Sequence, residues 1–140
     1  MLRYSFLPSD YHPMVLMLGE ASDMRALNGL LESFGRSPRD IELGRSPGFG
    51  VSDTRITLVR CDEGDQLGMH LVSRKDKILR WQLDPSTALL FAEMIDELGD
   101  AAIKSGSEQL SCGDYRAIPV KVSRGEFTDD YLVFGGARAV

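Results

Sequence analysis

The stretch KILRWQLDPSTALLFAEMIDELGDAA, Lys77 to Ala102, reads as a short strand running into a capped amphipathic helix. Leu79, Trp81 and Leu83 alternate with Arg80 and Gln82, the period of a strand with one buried face. Asp84 can accept from the free amides of a first helical turn, and Pro85 sits where a missing N–H costs nothing. Ala88, Phe91, Ala92, Ile95, Leu98 and Ala102 then recur at steps of three and four, making one apolar stripe. Glu93, Asp96, Glu97 and Asp100 fall mostly off that stripe and read as its solvated face. Trp81 and Phe91 read as contacts between sheet and helix.

The regions around this block extend the same pattern. Met14–Leu18 (MVLML) reads as a buried strand, and Glu20–Phe34 as a first helix with Ser22 or Asp23 near its start and Gly35 as its stop. Arg36 to Asp53 is rich in Gly, Pro and Ser, with one short strand expected at Ile41–Leu43 and a loop through Ser46–Asp53. Thr54–Cys61, Gln66–Ser73 and Lys77–Leu83 follow in quick succession, joined by the polar links DEGD and RKD, and read as an antiparallel meander. Strands are expected again at Glu108–Cys112, Arg116–Ser123 and Tyr131–Phe134, with Pro119 implying a free edge or a bulge. No internal repeat is visible. The expectation is one α+β domain over residues 1–140: a mainly antiparallel sheet of about six to eight strands, with two amphipathic helices packed on one face.

The chain has 140 residues, 43% hydrophobic and 26% charged, and this is the composition of a globular domain large enough to need no staple. Cys61 and Cys112 show no spacing that argues for a bridge; each reads as a small, part-buried strand residue in a reducing compartment. Pro8, Ser9, Asp10 and Tyr11 interrupt the N-terminal segment before it could form a signal core, and MVLML is far short of a membrane span. A cytoplasmic protein with no membrane partner is expected. The 16 basic and 21 acidic residues leave a net charge of −5, which repels nucleic-acid phosphate and favours a basic protein partner. Arg74, Lys75 and Lys77 are the nearest basic patch, but Asp76 lies within it and a tight polar turn explains it better.

No catalytic constellation emerges. His70 in LGMHLVS faces away from Leu67, Met69 and Leu71, toward Arg80 and Gln82 on a neighbouring strand; His12 lies in the turn-like SDYHP beside Tyr11. Neither histidine has the base, nucleophile or orienting group that a reaction needs. There is no CxxC, HxH or HExxH, and Asp62, Glu63 and Asp65 lack EF-hand spacing, so no metal and no cofactor is expected. SPGFGVSD carries a GxG without the rest of a phosphate-binding motif. Glu20 opposes an anion at the Gly19–Ser22 helix start. A candidate partner surface is the acid-flanked aromatic of SRGEFTDDY: Glu126, Phe127, Asp129 and Asp130.

Three segments in this order, LGEASDMRALNGLLESF, ILRWQLDPSTALLFAEMIDEL and IPVKVSRGEFTDDY, give a layout that resembles small bacterial immunity-type proteins of polymorphic toxin systems, and uncharacterised bacterial domains of similar size. The resemblance implies an α+β domain that binds and blocks a toxin without catalysis or cofactor. Three readings therefore stand. The first is a non-enzymatic protein-binding module with a basic partner. The second is a small-ligand binder or enzyme using a groove of Tyr11, His12, His70 and Arg80. The third is a homo-oligomeric structural protein, a homodimer being compatible with all three.

Overall fold

In the computed structural model, residues 1–9, 12–100, 102, 105–112, 116–125 and 132 are described. The capped helix forms as its sequence dictates. The Asp84 carboxylate accepts from Thr87 N at 2.7 Å, and Pro85 opens α2 (Pro85–Asp96), followed by a 3-10 turn, Glu97–Gly99. The first helix, α1 (Ala21–Arg36), is capped at Glu20, with Asp23 in its first turn as expected; Glu20 N donates to the Asp23 carboxylate at 2.9 Å. Gly35 does not stop it. It lies inside the helix and buried.

Eight strands surround these helices among the described residues: β1 (Arg3–Leu7), β2 (Met14–Leu18), β3 (Ile41–Glu42), β4 (Arg55–Arg60), β5 (Gly68–Ser73), β6 (Ile78–Leu83), β7 (Gly106–Leu110) and β8 (Val120–Arg124). They form two four-stranded sheets, in the orders β1–β2–β8–β7 and β3–β4–β6–β5. The α+β class holds, but each sheet is mixed. Its outer pairs are antiparallel and its central pair, β2–β8 or β4–β6, is parallel. The expected meander therefore fails at one step. The link after β4 is not a hairpin turn but an exposed loop with a 3-10 turn at Gly64–Gln66, and it carries β5 to the sheet edge so that β4 meets β6. Residues 74–77 are the tight turn expected, and Lys77 adopts φ +52 there. Pro119 precedes the interior strand β8 instead of marking an edge; its carbonyl accepts from Val15 N at 2.9 Å. Cys61 and Cys112 are not joined by a disulfide and lie just past strand ends. The strand expected at Tyr131–Phe134 falls almost wholly outside the described residues.

The topology contains an internal repeat that the sequence conceals. The order β1β2α1β3β4 is followed by β5β6α2β7β8, and each sheet takes one hairpin from each half. The two halves match at a shift of 64 positions: the N-caps are 20 and 84, and the buried helix residues Met24, Leu27, Leu31, Phe34 and Gly35 stand opposite Ala88, Phe91, Ile95, Leu98 and Gly99. Strand register obeys the same shift. Val15 pairs with Val120 and Met17 with Val122 in one sheet; Leu79 pairs with Ile56 and Trp81 with Leu58 in the other. Over the aligned stretches 14–36 and 78–100 only Ser22/Ser86 and Gly35/Gly99 are identical, so caps and apolar spacing persist while side chains have diverged.

The helices meet antiparallel across this pseudo-twofold. A Cβ on Gly35 would lie 2.7 Å from Leu89 Cγ and 3.1 Å from the Pro85 carbonyl, while a Cβ on Gly99 would lie 3.0 Å from Arg25 Cγ. Positions 25 and 89 are themselves equivalent. At the centre, Asn28 Nδ2 donates to the carbonyl of its counterpart, Ala92. One contiguous core fills the space between helices and sheets, with Trp81 and Phe91 stacked at 6.3 Å within it.

A glycine pair tests this packing. Gly29→Ala places its methyl in open space on an exposed helical position and is expected to stabilise by about 0.5–1 kcal/mol. Gly35→Ala gains the same propensity but forces Leu89 aside and presses on a backbone carbonyl that cannot swing away, for an expected net loss of about 1–2 kcal/mol. Urea unfolding of both variants decides; a gain in both would refute the close helix approach.

Candidate functional site

The outward face of α2 presents an apolar and acidic surface. With the core stripe turned inward, 3.6-residue periodicity carries Leu90, Glu93, Asp96, Glu97 and Asp100 to the opposite side, with Leu89 at its edge against Gly35 of α1. Leu89 and Leu90 are 40% and 54% exposed, and all four acids are exposed. Glu93, Asp96 and Glu97 have no hydrogen-bond or ion-pair partner among the described residues. Acids near a helix C-terminus oppose the helix dipole. The backbone carbonyls there are capped instead by guanidinium groups: Arg25 Nη1 donates to Gly99 O at 2.8 Å, and Arg124 Nη1 to Leu98 O at 3.0 Å. By contrast, α1 neutralises its exposed acid, Glu32, with Arg36 at 2.7 Å. Glu93, Asp96 and Glu97 thus add charge that the helix itself does not use, whereas Asp100 Oδ1 accepts from Ala102 N at 2.9 Å.

The surface expected at Glu126, Phe127, Asp129 and Asp130 lies outside the described residues, as does Tyr11. His70 and Arg80 are brought together as register partners on β5 and β6. His70 Nε2 sits 2.9 Å from Gln66 O, which also accepts from Gln82 Nε2 at 2.6 Å, so the imidazole is tied to a local backbone network. Arg80 is exposed on the outer face of the second sheet. His12 is exposed between β1 and β2, its amide donating to Ser9 Oγ at 3.1 Å. It lines a groove of about 390 Å³ with Gln109, Arg116 and Pro119 that includes neither His70 nor Arg80.

A second groove, of about 460 Å³, was not signalled by any motif. It lies where β1 of the first sheet meets the loop before β4, and is lined by Tyr4, Glu42, Arg45, Asp53, Arg55 and Asp76 among others. Its wall is a hydroxyl–carboxylate network that stitches the sheets together. Thr54 Oγ1 accepts from Phe6 N at 2.9 Å, Ser5 Oγ donates to Asp53 Oδ1 at 2.9 Å, and Lys77 Nζ lies 2.7 Å from Asp53 Oδ2. Burial alone would raise the Asp53 carboxyl, but hydrogen bonds from Lys77, Ser5 and Thr54, with the Lys77 charge, more than offset it and hold the group below its ordinary value. Burial, and then the Glu42 charge, push the Tyr4 phenol above its ordinary value, so it remains a neutral donor. Glu42 is held between Arg45 Nε at 3.2 Å and Arg55 Nε at 3.5 Å.

The two grooves are equivalent in the repeat. Arg45, Asp53, Thr54, Arg55 and Ile78 of one stand 64 positions from Gln109, Ala117, Ile118, Pro119 and Met14 of the other. Sequence reading missed the charged groove because its residues come from four separate segments, and RITLVR was legible only as an alternating strand. Among the described residues no three His, Cys, Asp or Glu side chains gather closely enough to hold a metal ion, and no helix is long and apolar enough to cross a membrane. Compared with protein families, with curated proteins and with solved structures, the chain finds no match in any of the three.

Proposed function

We propose that this chain is a cytoplasmic, non-enzymatic protein-binding module that docks a basic partner through the outer face of α2. The observation that carries this reading is the grouping of exposed Leu90 and part-exposed Leu89 with four exposed acids toward the C-terminal end of α2, where Glu93, Asp96 and Glu97 have no partner among the described residues. Apolar side chains supply buried area on contact, and surrounding charge steers a complementary surface and excludes wrong ones. The resemblance to immunity-type proteins supports a toxin as the partner, blocked by occlusion of its basic surface.

The test is affinity capture from the native host with the wild-type chain and with a Leu90→Ala, Glu93→Lys, Glu97→Lys variant. All three positions are solvent-exposed, so the variant is expected to keep the wild-type circular dichroism and melting temperature. The expected result is one basic heterologous protein that cross-links to α2, is held by the wild type, is released as salt rises, and is lost from the variant. Capture of no heterologous protein, or equal capture by the folded variant, would sink the reading.

A further inference from the structure

The groove at Tyr4 holds a donor without an acceptor. Tyr4 is 4% exposed, its ring packed edge-on against Phe49 at 6.4 Å, yet its hydroxyl has no hydrogen-bond partner among the described residues. The ring is buried, but the hydroxyl is not among the buried unsatisfied polar atoms, so it opens on the groove and is free to donate there. It reaches the groove wall at Gly44, where an added Cβ would lie 3.0 Å from Tyr4 Oη. Close by, Arg45 and Arg55, 85% and 66% exposed, meet Glu42 through Nε; their Nη groups make no hydrogen bond to a described residue, and the trio keeps one net positive charge. Across the groove Asp53 is matched by Lys77 at 2.7 Å, while Asp76 accepts from the neutral Ser73 Oγ at 3.3 Å and keeps its charge, so the positive potential is local to Arg45 and Arg55.

The repeat supplies an internal control. At equivalent positions the second groove has Gly68 for Tyr4, Gly106 for Glu42, Gln109 for Arg45 and Pro119 for Arg55. There a side chain in place of Tyr4 would not fit, since a Cβ on Gly68 would strike Ala117 at 2.6 Å. The scaffold therefore closes without a tyrosine, a carboxylate or two arginines at these places. The polar ends of these side chains are gathered in one groove only.

We infer that this groove is a binding site for a small organic or inorganic oxyanion, a carboxylate or a phosphate, held by Arg45 and Arg55 with Tyr4 Oη donating to it. Planar guanidinium groups match the paired oxygens of both, and the groove volume of about 460 Å³ suits a small ligand. The site lies on the sheet junction and does not depend on the proposed docking role of α2.

The test is a titration of the full chain, followed by ¹H–¹⁵N NMR, with sodium phosphate and with sodium succinate against sodium chloride at matched ionic strength. Saturable shifts are expected at the Gly44 amide and the Arg45 and Arg55 Nε–H groups with one or both oxyanions, and not with chloride; which oxyanion saturates first assigns the class. Arg55→Gln is expected to weaken binding about tenfold or more, the size of a lost charge-assisted hydrogen bond. Tyr4→Phe keeps the ring packing and is expected to weaken binding several-fold while leaving the melting temperature of the free protein unchanged or raised. Gln109→Ala, in the second groove, is expected to bind as the wild type does. Absence of saturable shifts with both oxyanions, or shifts that persist undiminished in Arg55→Gln and Tyr4→Phe, overturns the inference.

Discussion

Truncating Trp81 to alanine is expected to lower the stability of this protein by about 3–5 kcal/mol and its melting temperature by about 10–20 °C. Trp81 is fully buried, pairs with Leu58 across the parallel junction of β4 and β6, and stacks on Phe91 of α2 at 6.3 Å. Alanine removes the contact between sheet and helix and leaves a cavity walled by both, which neither can close without breaking strand pairing. Since domains of this kind are stable by only about 5–15 kcal/mol, the loss is a large fraction of the total. Trp81→Phe provides the contrast. The indole Nε1–H is buried without a partner, and an unsatisfied donor costs about 1–3 kcal/mol. Phenylalanine gives up some packed area but removes that orphan, so it is expected within about 1 kcal/mol of the wild type. Denaturant unfolding separates the cases. If phenylalanine were as damaging as alanine, the indole nitrogen would have to be making a bond.

The second large effect is expected at Arg124. This side chain is 8% exposed, and its Nη1 donates to the carbonyls of Leu98 and Asp100 where the chain leaves α2. Arg124→Met keeps much of the aliphatic stem and removes the donor, stranding two carbonyls at a buried helix end, for an expected loss of about 2–4 kcal/mol. Its counterpart in the repeat is Arg60, 64 positions earlier, which is 54% exposed and meets Asp62 at 3.1 Å. Arg60→Met is expected to cost no more than about 0.5 kcal/mol, because exposed ion pairs contribute little. Amide exchange localises the first effect: residues 95–100 should lose protection in Arg124→Met and keep it in Arg60→Met. Similar losses in the two variants would refute the distinction.

Position within a repeat therefore does not settle what a residue does. Arg60 and Arg124 share a place in their hairpins, as do Tyr4 and Gly68, yet one member of each pair is tied into the fold or a groove and the other is not. Charged groups diverge in this way when the backbone frame can stand without them. The caps at Glu20 and Asp84 and the inward residues of both helices have kept their chemistry, because the frame depends on them.

That difference governs what could be read from residue order. The strand at Lys77–Leu83, the cap at Asp84, the buried stripe through Ile95 and the solvated acids of α2 were all legible, because each is imposed by neighbours within about one or two turns or along a single strand. The cytoplasmic, acidic, binding-module reading also starts from composition and local pattern. The parallel joining of β4 to β6, the division into two sheets, the hidden repeat and the groove at Tyr4 were not legible. Alternation places a residue on a face of its strand but carries no label for which strand lies alongside, and hydrogen-bonded ladders accept any well-matched partner. That choice is made by burial summed over the whole core, where Trp81 must meet Phe91 and Gly35 must meet Leu89 at once. Only after that choice do Tyr4, Glu42, Arg45 and Arg55 come to share a wall.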